Sequence, residues 1–258
     1  MANTALITGA SLGIGREFAR YHATQGGDLI LTARREESLT ALQAELEVKH
    51  GITAHVIALD LAAPGGADQL FQTVKSLGVG VDILINNAGF GGNGLHAERE
   101  LAQEQAIIDL NIKALVTLTH RFSNDMLTRG RGHILNVGST AGFVPGPNQA
   151  VYFASKAFVI SFSQAIDQEM RDKGVRCSVL APGYVETEFA QTANMEGTRM
   201  VRAGGASAAD VARIGYDAMI RGDLVSFNDK KLGFMLTRLI PLLPRRFVLN
   251  QVARNQSK

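Results

Sequence analysis

The chain has 258 residues, 46% hydrophobic and 19% charged, with a formal net charge of +2 at pH 7. This balance predicts no nucleic-acid or other polyanionic partner, and the length allows one large domain with a sizeable core. A single cysteine, Cys177, excludes an internal disulfide, and the six histidines lack ligand spacing, so we expect no metal site. Since Met1 opens no basic-then-apolar leader and no apolar run approaches about 20 residues, we expect a soluble cytoplasmic protein.

The first predicted strand, Thr4–Thr8, runs into a glycine-rich turn that holds Gly9, Gly13 and Gly15, and a helical pattern follows. Glycines allow a tight turn and a close approach of the backbone to a pyrophosphate, which then rests on the helix N-terminus. The spacing G-x-x-x-G-x-G differs from the dinucleotide-binding G-x-G-x-x-G. Its position between strand and helix nevertheless predicts a nucleotide site.

The second predicted strand, Asp28–Thr32, is followed by Arg34 and Arg35. At this point of a nucleotide-binding unit, an acid binds the ribose hydroxyl of NAD, whereas an arginine accommodates the 2′-phosphate of NADP. The acids that follow, Glu36 and Glu37, fall where the first turn of the next helix favours them. The pair therefore favours NADP, with NAD as the less favoured cofactor and a solvated loop as the alternative.

Further apolar runs predict strands at 55–61, 81–85, 133–137, 176–181 and 224–227, with helices between them. This alternation predicts an α/β fold: one Rossmann-like, doubly wound parallel sheet of about seven strands, with helices on both faces and a single domain over 1–258. Ligands bind such sheets at the carboxyl ends of the strands. Asp60, the run Asn86–Gly89, Ser139 and the pair Pro182–Gly183 fall at those ends.

Tyr152 and Lys156 stand four residues apart on a helix predicted over about 151–173, so they share one face. A nearby lysine cation and the first turn of a helix both lower the pKa of a phenol toward neutral pH. Ser139, after the strand at 133–137, offers a hydroxyl to a substrate oxygen. An isolated Tyr-x-x-x-Lys pair is more often a solvated helix face, and the serine thirteen positions earlier favours the catalytic interpretation.

Together these motifs resemble the short-chain dehydrogenase/reductase family, in its compact branch. The resemblance runs from Thr4 to about Thr187. Its motifs are TGASLGIG (Thr8–Gly15), Asp60, NNAG (Asn86–Gly89), Asn111, Ser139, YFASK (Tyr152–Lys156) and PGYVET (Pro182–Thr187).

The resemblance implies an NADP-dependent oxidoreductase that interconverts a ketone or aldehyde and an alcohol by hydride transfer. It implies that Tyr152 is the general acid and base, that Lys156 binds the nicotinamide ribose, and that Ser139 polarises the substrate carbonyl. Asn111, in a helical stretch predicted over about 101–129, would hold a water of the proton relay. The implied cofactor-binding residues are Gly9, Ser11, Gly13, Ile14, Gly15, Arg34, Arg35, Asp60, Leu61, Asn87, Ala88, Gly89, Tyr152, Lys156, Pro182, Gly183 and Thr187.

A segment at about 188–207 is predicted to cover the substrate, and it ends in a capping-box pattern, Ser207–Asp210. Apolar residues there and at other strand ends suggest an apolar pocket, although half of any such segment is apolar. These residues are Phe90, Phe143, Val144, Phe189, Met195, Met200 and Val201. A 3-oxoacyl-type thioester reductase and a non-catalytic NADP-binding sensor stay open as alternatives.

The C-terminal tail, about 230–258, is apolar and basic and carries no acid after Asp229. Pro241 and Pro244 predict two short helical pieces. The tail could pack over the pocket or against a partner subunit of a homodimer or homotetramer, or dock onto its own domain. It could also lie on an anionic membrane surface, which is less favoured because prolines interrupt the amphipathic face.

Overall fold

A computed structural model describes residues 3–257. It contains one sheet of seven parallel strands in the order β3-β2-β1-β4-β5-β6-β7. The strands are β1 (Ala5–Thr8), β2 (Leu29–Ala33), β3 (Ala54–Ala58), β4 (Ile83–Asn86), β5 (Gly132–Val137), β6 (Val175–Leu180) and β7 (Val225–Ser226). The predicted fold class is confirmed.

Helices connect the strands and cover both faces of the sheet. They are α1 (Gly13–Thr24), α2 (Glu36–His50), α3 (Gly66–Ser76), α4 (Leu101–Ile108), α5 (Leu115–Arg129), α6 (Ala150–Met170), α7 (Phe189–Thr192), α8 (Arg199–Arg202), α9 (Ala208–Arg221), α10 (Lys230–Phe234) and α11 (Arg245–Gln256). Two stretches, Asp109–Ala114 and Met235–Leu239, are π-helical, and short 3₁₀ turns lie at His96–Glu98, Thr140–Phe143, Arg171–Lys173 and Ile240–Leu242.

The core is divided by the sheet because successive side chains of a strand point to opposite faces. In β1, Ala5 and Ile7 belong to one buried cluster with residues of α1, α2 and α9. Leu6, between them, belongs to a second cluster with residues of α3 and α5. Strands that are buried on both faces read as continuous apolar runs, which is why the sequence located them.

Three predicted elements differ from the structure by more than two residues or in the type of helix. The predicted helix at 101–129 is interrupted by the π-helical stretch Asp109–Ala114, where one extra residue is accommodated per turn. The strand predicted at 55–61 ends at Ala58, so Asp60 lies in the following loop. The helix predicted to reach residue 173 ends its α-helical part at Met170 and closes with a 3₁₀ turn before Gly174 (φ +82°).

Two local predictions are confirmed. The Ser207 hydroxyl accepts a hydrogen bond from the Asp210 amide at 3.4 Å and begins α9 as its N-cap. The tail forms two short helical pieces on either side of Pro241 and Pro244. Over residues 3–257, no helix is long and apolar enough to cross a membrane. The same residues hold no group of three His, Cys, Asp or Glu side chains placed to bind a metal.

Candidate active site

A cavity of about 1200 Å³ lies at the carboxyl ends of the strands, beside the point where the strand order reverses between β1 and β4. Ligand pockets commonly measure roughly 300–1,000 Å³, so this one has room for a dinucleotide together with a second, smaller molecule. Segments from the ends of six strands line it, along with α7, α8 and the C-terminal tail.

The glycine turn forms one wall of the cavity. Gly9 (φ +66°) and Gly13 (φ +55°) adopt left-handed backbone conformations that favour glycine. Helix α1 begins at Gly13, and no side chain in the described part of the chain caps its N-terminus. Its first amides are therefore left for another acceptor, and a helix N-terminus with glycines before it suits a phosphate. This cradle fits the pyrophosphate of a nicotinamide dinucleotide.

Gly15 does not line the cavity, although the resemblance assigned it a cofactor contact. A Cβ atom at this position would lie 2.2 Å from the Gly9 carbonyl oxygen and 2.4 Å from Asn87 Nδ2. The glycine therefore allows α1 to pack directly beneath the turn. Its role in this structure is to let the turn close.

Hydrogen bonds hold the turn after β4 against the turn after β1. Asn87 Nδ2 donates to the carbonyl oxygens of Thr8 and Gly9, at 2.9 and 3.3 Å. The Thr8 hydroxyl accepts from the amides of Asn87 and Ala88, each at 2.9 Å. The two turns thus form one rigid wall, and Asn87, Ala88 and Gly89 line the cavity from it.

Arg34 and Arg35 follow β2 and line the far end of the cavity, together with Asp60 and Leu61 after β3. The Asp60 carboxylate accepts a hydrogen bond from the Ala62 amide at 3.0 Å, which fixes the loop. Within residues 3–257, neither arginine makes an ion pair. Both guanidinium groups are therefore available to an anionic ligand.

Tyr152 and Lys156 project from one face of α6 into the cavity, beside Ser139 after β5. Lys156 Nζ donates to the Val137 carbonyl at 2.8 Å and lies 5.8 Å from the centre of the Tyr152 ring. The Ser139 hydroxyl accepts from the Ala141 amide at 3.1 Å, donates to the Pro182 carbonyl at 3.5 Å, and lies close enough to the Tyr152 phenol to lower its pKa. The three side chains meet at one point of the wall.

Burial dominates the acid–base properties of this group. It raises the pKa of Tyr152 to about 12, while the nearby Ser139 hydroxyl acts in the opposite direction. It also lowers the pKa of Lys156 from 10.5 to about 8, because a buried ammonium loses its hydration. The expectation that the tyrosine pKa falls is therefore wrong for the polypeptide itself, since desolvation outweighs the effect of the Ser139 hydroxyl on the phenol.

Asn111 is buried in the π-helical stretch and does not line the cavity. Its Oδ1 accepts from the Phe90 amide at 3.1 Å, and its Nδ2 donates to the Phe90 carbonyl at 3.0 Å and to the Ser155 hydroxyl at 3.1 Å. The side chain thus ties the loop after β4 to helix α6. These bonds hold that loop beside Tyr152 and Lys156.

The loop after β6 brings Pro182, Gly183 and Thr187 to the cavity. The Gly183 amide donates to Asn228 Oδ1 at 2.9 Å, which fixes the loop to the chain after β7. A Cβ atom at Gly13 would lie 3.2 Å from the Thr187 methyl group, so this loop packs onto the glycine turn. The remaining predicted cofactor residues, Ser11 and Ile14, also line the cavity.

The end of the cavity nearest Tyr152 is largely apolar. Phe189 lies with its ring centre 5.5 Å from that of Tyr152, and Phe90, Val144, Met195 and Met200 also line this end. Two residues assigned to the pocket from the sequence lie elsewhere. Phe143 packs against Phe227 with ring centres 5.3 Å apart, and Val201 packs within the cluster of the covering segment.

A buried glutamine pair closes this end, and no pattern in the sequence predicts it. Gln149 Nε2 donates to Gln256 Oε1 at 2.5 Å and to the Met195 sulfur at 3.5 Å, while Asn93 Nδ2 donates to the Gln256 carbonyl at 2.9 Å. Gln149 Oε1 is buried in the cavity wall and has no hydrogen-bond partner among residues 3–257. Leu232, Leu236, Val252 and Asn255 of the tail also line the cavity, and no sequence motif marks them.

Comparisons with known proteins agree with this geometry. A family model described as short chain dehydrogenase matches residues 3–197. Sulfoacetaldehyde reductase 2 of Chromohalobacter salexigens is 39% identical over 82% of this chain and 81% of its own length. A short-chain dehydrogenase from Sphingobium yanoikuyae, solved in complex with NADPH, has a TM-score of 0.85 and 27% identity, covering 99% of this chain and 98% of that one. A short-chain dehydrogenase/reductase from Burkholderia phymatum, solved with NAD, has a TM-score of 0.82 and 26% identity, with 91% and 92% covered.

Proposed function

The chain belongs to the short-chain dehydrogenase family of oxidoreductases, and we propose that it interconverts a carbonyl compound and an alcohol with NADP as its cofactor. One observation carries the proposal: Tyr152, Lys156 and Ser139 line the same cavity as the glycine turn and Arg34. A proton donor and a dinucleotide cradle thus share one space. A bound nicotinamide cofactor would supply or accept the hydride.

The chain's own groups then handle the proton. Because the pKa of Tyr152 is about 12, the phenol is protonated at neutral pH and can donate to a carbonyl oxygen that becomes an alcohol. We assign Ser139 a hydrogen bond to the same oxygen, which positions and polarises the carbonyl. In the oxidation direction, the phenolate accepts the alcohol proton. The Lys156 ammonium, held by Val137, favours that phenolate.

The preference for NADP rests on Arg34 and Arg35. Both line the cavity beyond β2 and neither is neutralised by an ion pair across residues 3–257, so a 2′-phosphate would meet two free cations. An arginine forms charge-assisted hydrogen bonds with phosphate that a ribose hydroxyl cannot replace. The relative from Sphingobium yanoikuyae binds NADPH, whereas that from Burkholderia phymatum binds NAD. Because the relatives differ, our choice of NADP rests on the two arginines.

The substrate class we propose is a largely apolar ketone or aldehyde. Five apolar side chains line the cavity near Tyr152, namely Phe90, Val144, Phe189, Met195 and Met200. The unpartnered Gln149 Oε1 in the same wall would accept a hydrogen bond from a hydroxyl or amine of the substrate. Assembly into a homodimer or homotetramer and a cytoplasmic location stay predictions.

A panel of carbonyl compounds tests the proposal, with NADPH absorbance as the readout and NADH as the matched cofactor control. The panel holds aliphatic and aromatic ketones, sulfoacetaldehyde as a small anionic aldehyde, and a 3-oxoacyl thioester. We expect the fastest NADPH oxidation with an apolar ketone or aldehyde. If NADPH binds but no compound oxidises it, the non-catalytic sensor replaces the proposed enzyme.

A further inference from the structure

The C-terminal tail, residues 230–257, has an inner and an outer face. On the inner face, Leu232, Leu236 and Val252 line the cavity, and Val248 is buried. The outer face exposes six large apolar side chains. They are Phe234 (59% exposed), Met235 (45%), Leu239 (48%), Leu242 (81%), Leu243 (42%) and Phe247 (51%).

These six exposed residues are concentrated in one short stretch of the chain. Within residues 3–257, thirteen large hydrophobic side chains are exposed, and six of them fall between positions 234 and 247. Three of the six, Met235, Leu239 and Leu242, recur every three to four residues over the first helical piece, a spacing that places side chains on one side of it. Scattered exposed apolar residues are normal, but a contiguous group marks a contact surface.

Basic side chains lie within the same stretch. Lys230, Lys231, Arg238, Arg245 and Arg246 are all exposed, and none of them makes an ion pair in the described part of the chain. No aspartate or glutamate follows Asp229 in the sequence. The tail therefore presents cations and apolar groups together, with no acid of its own to neutralise them.

The charges identify what this surface can contact. In a symmetric contact between two copies, the same patch faces itself, which would bring unneutralised cations together. A nucleic acid would neutralise the cations but would leave the phenylalanines and leucines without an apolar partner. An anionic lipid surface satisfies both groups, because its phosphates meet the cations and its acyl chains receive the apolar side chains.

We propose that the outer face of the tail binds the surface of an anionic membrane. Pro241 and Pro244 argued against this from the sequence, because they interrupt an amphipathic helix. In the structure, exposed apolar residues occur both before and after the prolines, with Leu242 and Leu243 between them. The tail helices Lys230–Phe234 and Arg245–Gln256 have 5 and 12 residues, too few to span a bilayer, so the tail would lie on the membrane surface.

Vesicle cosedimentation of the full-length protein tests the proposal. The probes are vesicles of phosphatidylcholine alone and of phosphatidylcholine with about 30% phosphatidylglycerol. We expect binding to the anionic vesicles, weaker binding to the neutral ones, and loss of binding as salt rises above roughly 0.5 M, where charges are screened. This comparison needs no substitution, so it holds whether or not a variant folds.

Two variants then separate the contributions. Because each basic residue near an anionic surface contributes about fivefold, the triple variant Arg238→Gln, Arg245→Gln, Arg246→Gln should bind roughly 100-fold more weakly. Phe234→Ser with Leu242→Ser should also weaken binding. The matched controls are Lys49→Gln with Lys173→Gln, and Val48→Ser with Leu101→Ser, which alter exposed residues elsewhere and should leave binding unchanged. Thermal unfolding and NADPH titration of each variant check that the fold is retained.

Two results would overturn the proposal. One is that the protein sediments equally with neutral and anionic vesicles, or with neither of them. The other is a protein that ignores vesicles but forms a dimer in light scattering that Phe234→Ser with Leu242→Ser dissociates. That second result would assign the surface to another copy of the chain.

Discussion

Lys156 is a buried cation whose pKa of about 8 has a consequence for stability. The folded chain releases this proton near pH 8, whereas the unfolded chain holds it to about pH 10.5, the ordinary value for lysine. The unfolded state therefore binds more protons between those values, and stability rises with pH across that window. Below about pH 8 the folded chain keeps the buried ammonium charged, and the whole cost of removing it from water then lowers the stability of the fold.

Comparison of wild type with Lys156→Met isolates this effect. Between about pH 7 and pH 10, the free energy of unfolding of wild type should rise by roughly 2–3 kcal/mol relative to the variant, as measured by urea denaturation without cofactor. The range stops at pH 10 because Tyr152 ionises near that pH in the unfolded chain, whereas its pKa is raised to about 12 in the folded chain. Both proteins therefore lose stability above pH 10. Lys173→Met, at an exposed lysine, is the control and should track wild type. A constant difference between wild type and Lys156→Met would contradict the shifted pKa.

Arg34 provides a second test at a single residue. A charge-assisted hydrogen bond contributes roughly 1.5–3 kcal/mol, so Arg34→Ala should weaken NADPH binding about ten- to a hundredfold. NADH lacks the 2′-phosphate, so its affinity should change less than about twofold. Fluorescence titration of both cofactors with wild type, Arg34→Ala and the neighbouring Arg35→Ala measures this. Equal losses for the two cofactors would remove Arg34 from the phosphate site.

At the scale of elements, the sequence located all seven strands because each is a largely apolar run with a turn after it. It could not locate the π-helical stretch around Asn111, since the surrounding sequence keeps an ordinary helical pattern. The end of β3 was placed too late because Leu59 is apolar but lies beyond the last pair of the ladder, Ala33 with Ala58. Local pattern thus found the elements, while tertiary packing set their ends.

The candidate site was predictable to the same extent. Residues that sit at strand ends, such as Ser139 and Asp60, could be placed by topology alone. The pair Gln149 and Gln256 could not, because 107 positions separate them and neither belongs to a motif. The predicted direction of the Tyr152 pKa shift was wrong because the pKa is set by burial. Part of that burial comes from the covering segment, whose Phe189 packs on the tyrosine ring.

Asn111, in the π-helical stretch, holds the loop after β4 through its hydrogen bonds to Phe90. Asn111→Ala removes the side chain that binds the amide and carbonyl of Phe90, so the loop after β4 should open more easily. Amide exchange at Phe90 should become about ten- to a hundredfold faster, which matches the loss of roughly 1–3 kcal/mol for a buried hydrogen bond. Thr128→Ala, an exposed change on α5, should leave that exchange rate unaltered. An unchanged rate in Asn111→Ala would mean that the side chain does not hold the loop.

At the scale of the molecule, the C-terminal tail covers one end of the cavity that lies at the carboxyl ends of the strands. Gln256 is the attachment point, since its side chain and carbonyl bind Gln149 and Asn93 on segments far away in sequence. Gln256→Ala should release α11, so trypsin should cleave after Arg254 about tenfold faster. Gln251→Ala, at an exposed position of the same helix, is the control and should be cleaved at the wild-type rate. Equal rates would show that the glutamine pair does not anchor the tail.

We propose that Tyr152 transfers the proton in a cavity that also binds NADPH. The most direct measurement is turnover and NADPH affinity of Tyr152→Phe, on whichever carbonyl compound the wild-type protein reduces. The ring and its packing remain while the proton is lost, so kcat should fall by about 10²–10⁴-fold, with NADPH affinity within about twofold of wild type. A variant that keeps a tenth or more of wild-type kcat would contradict the claim.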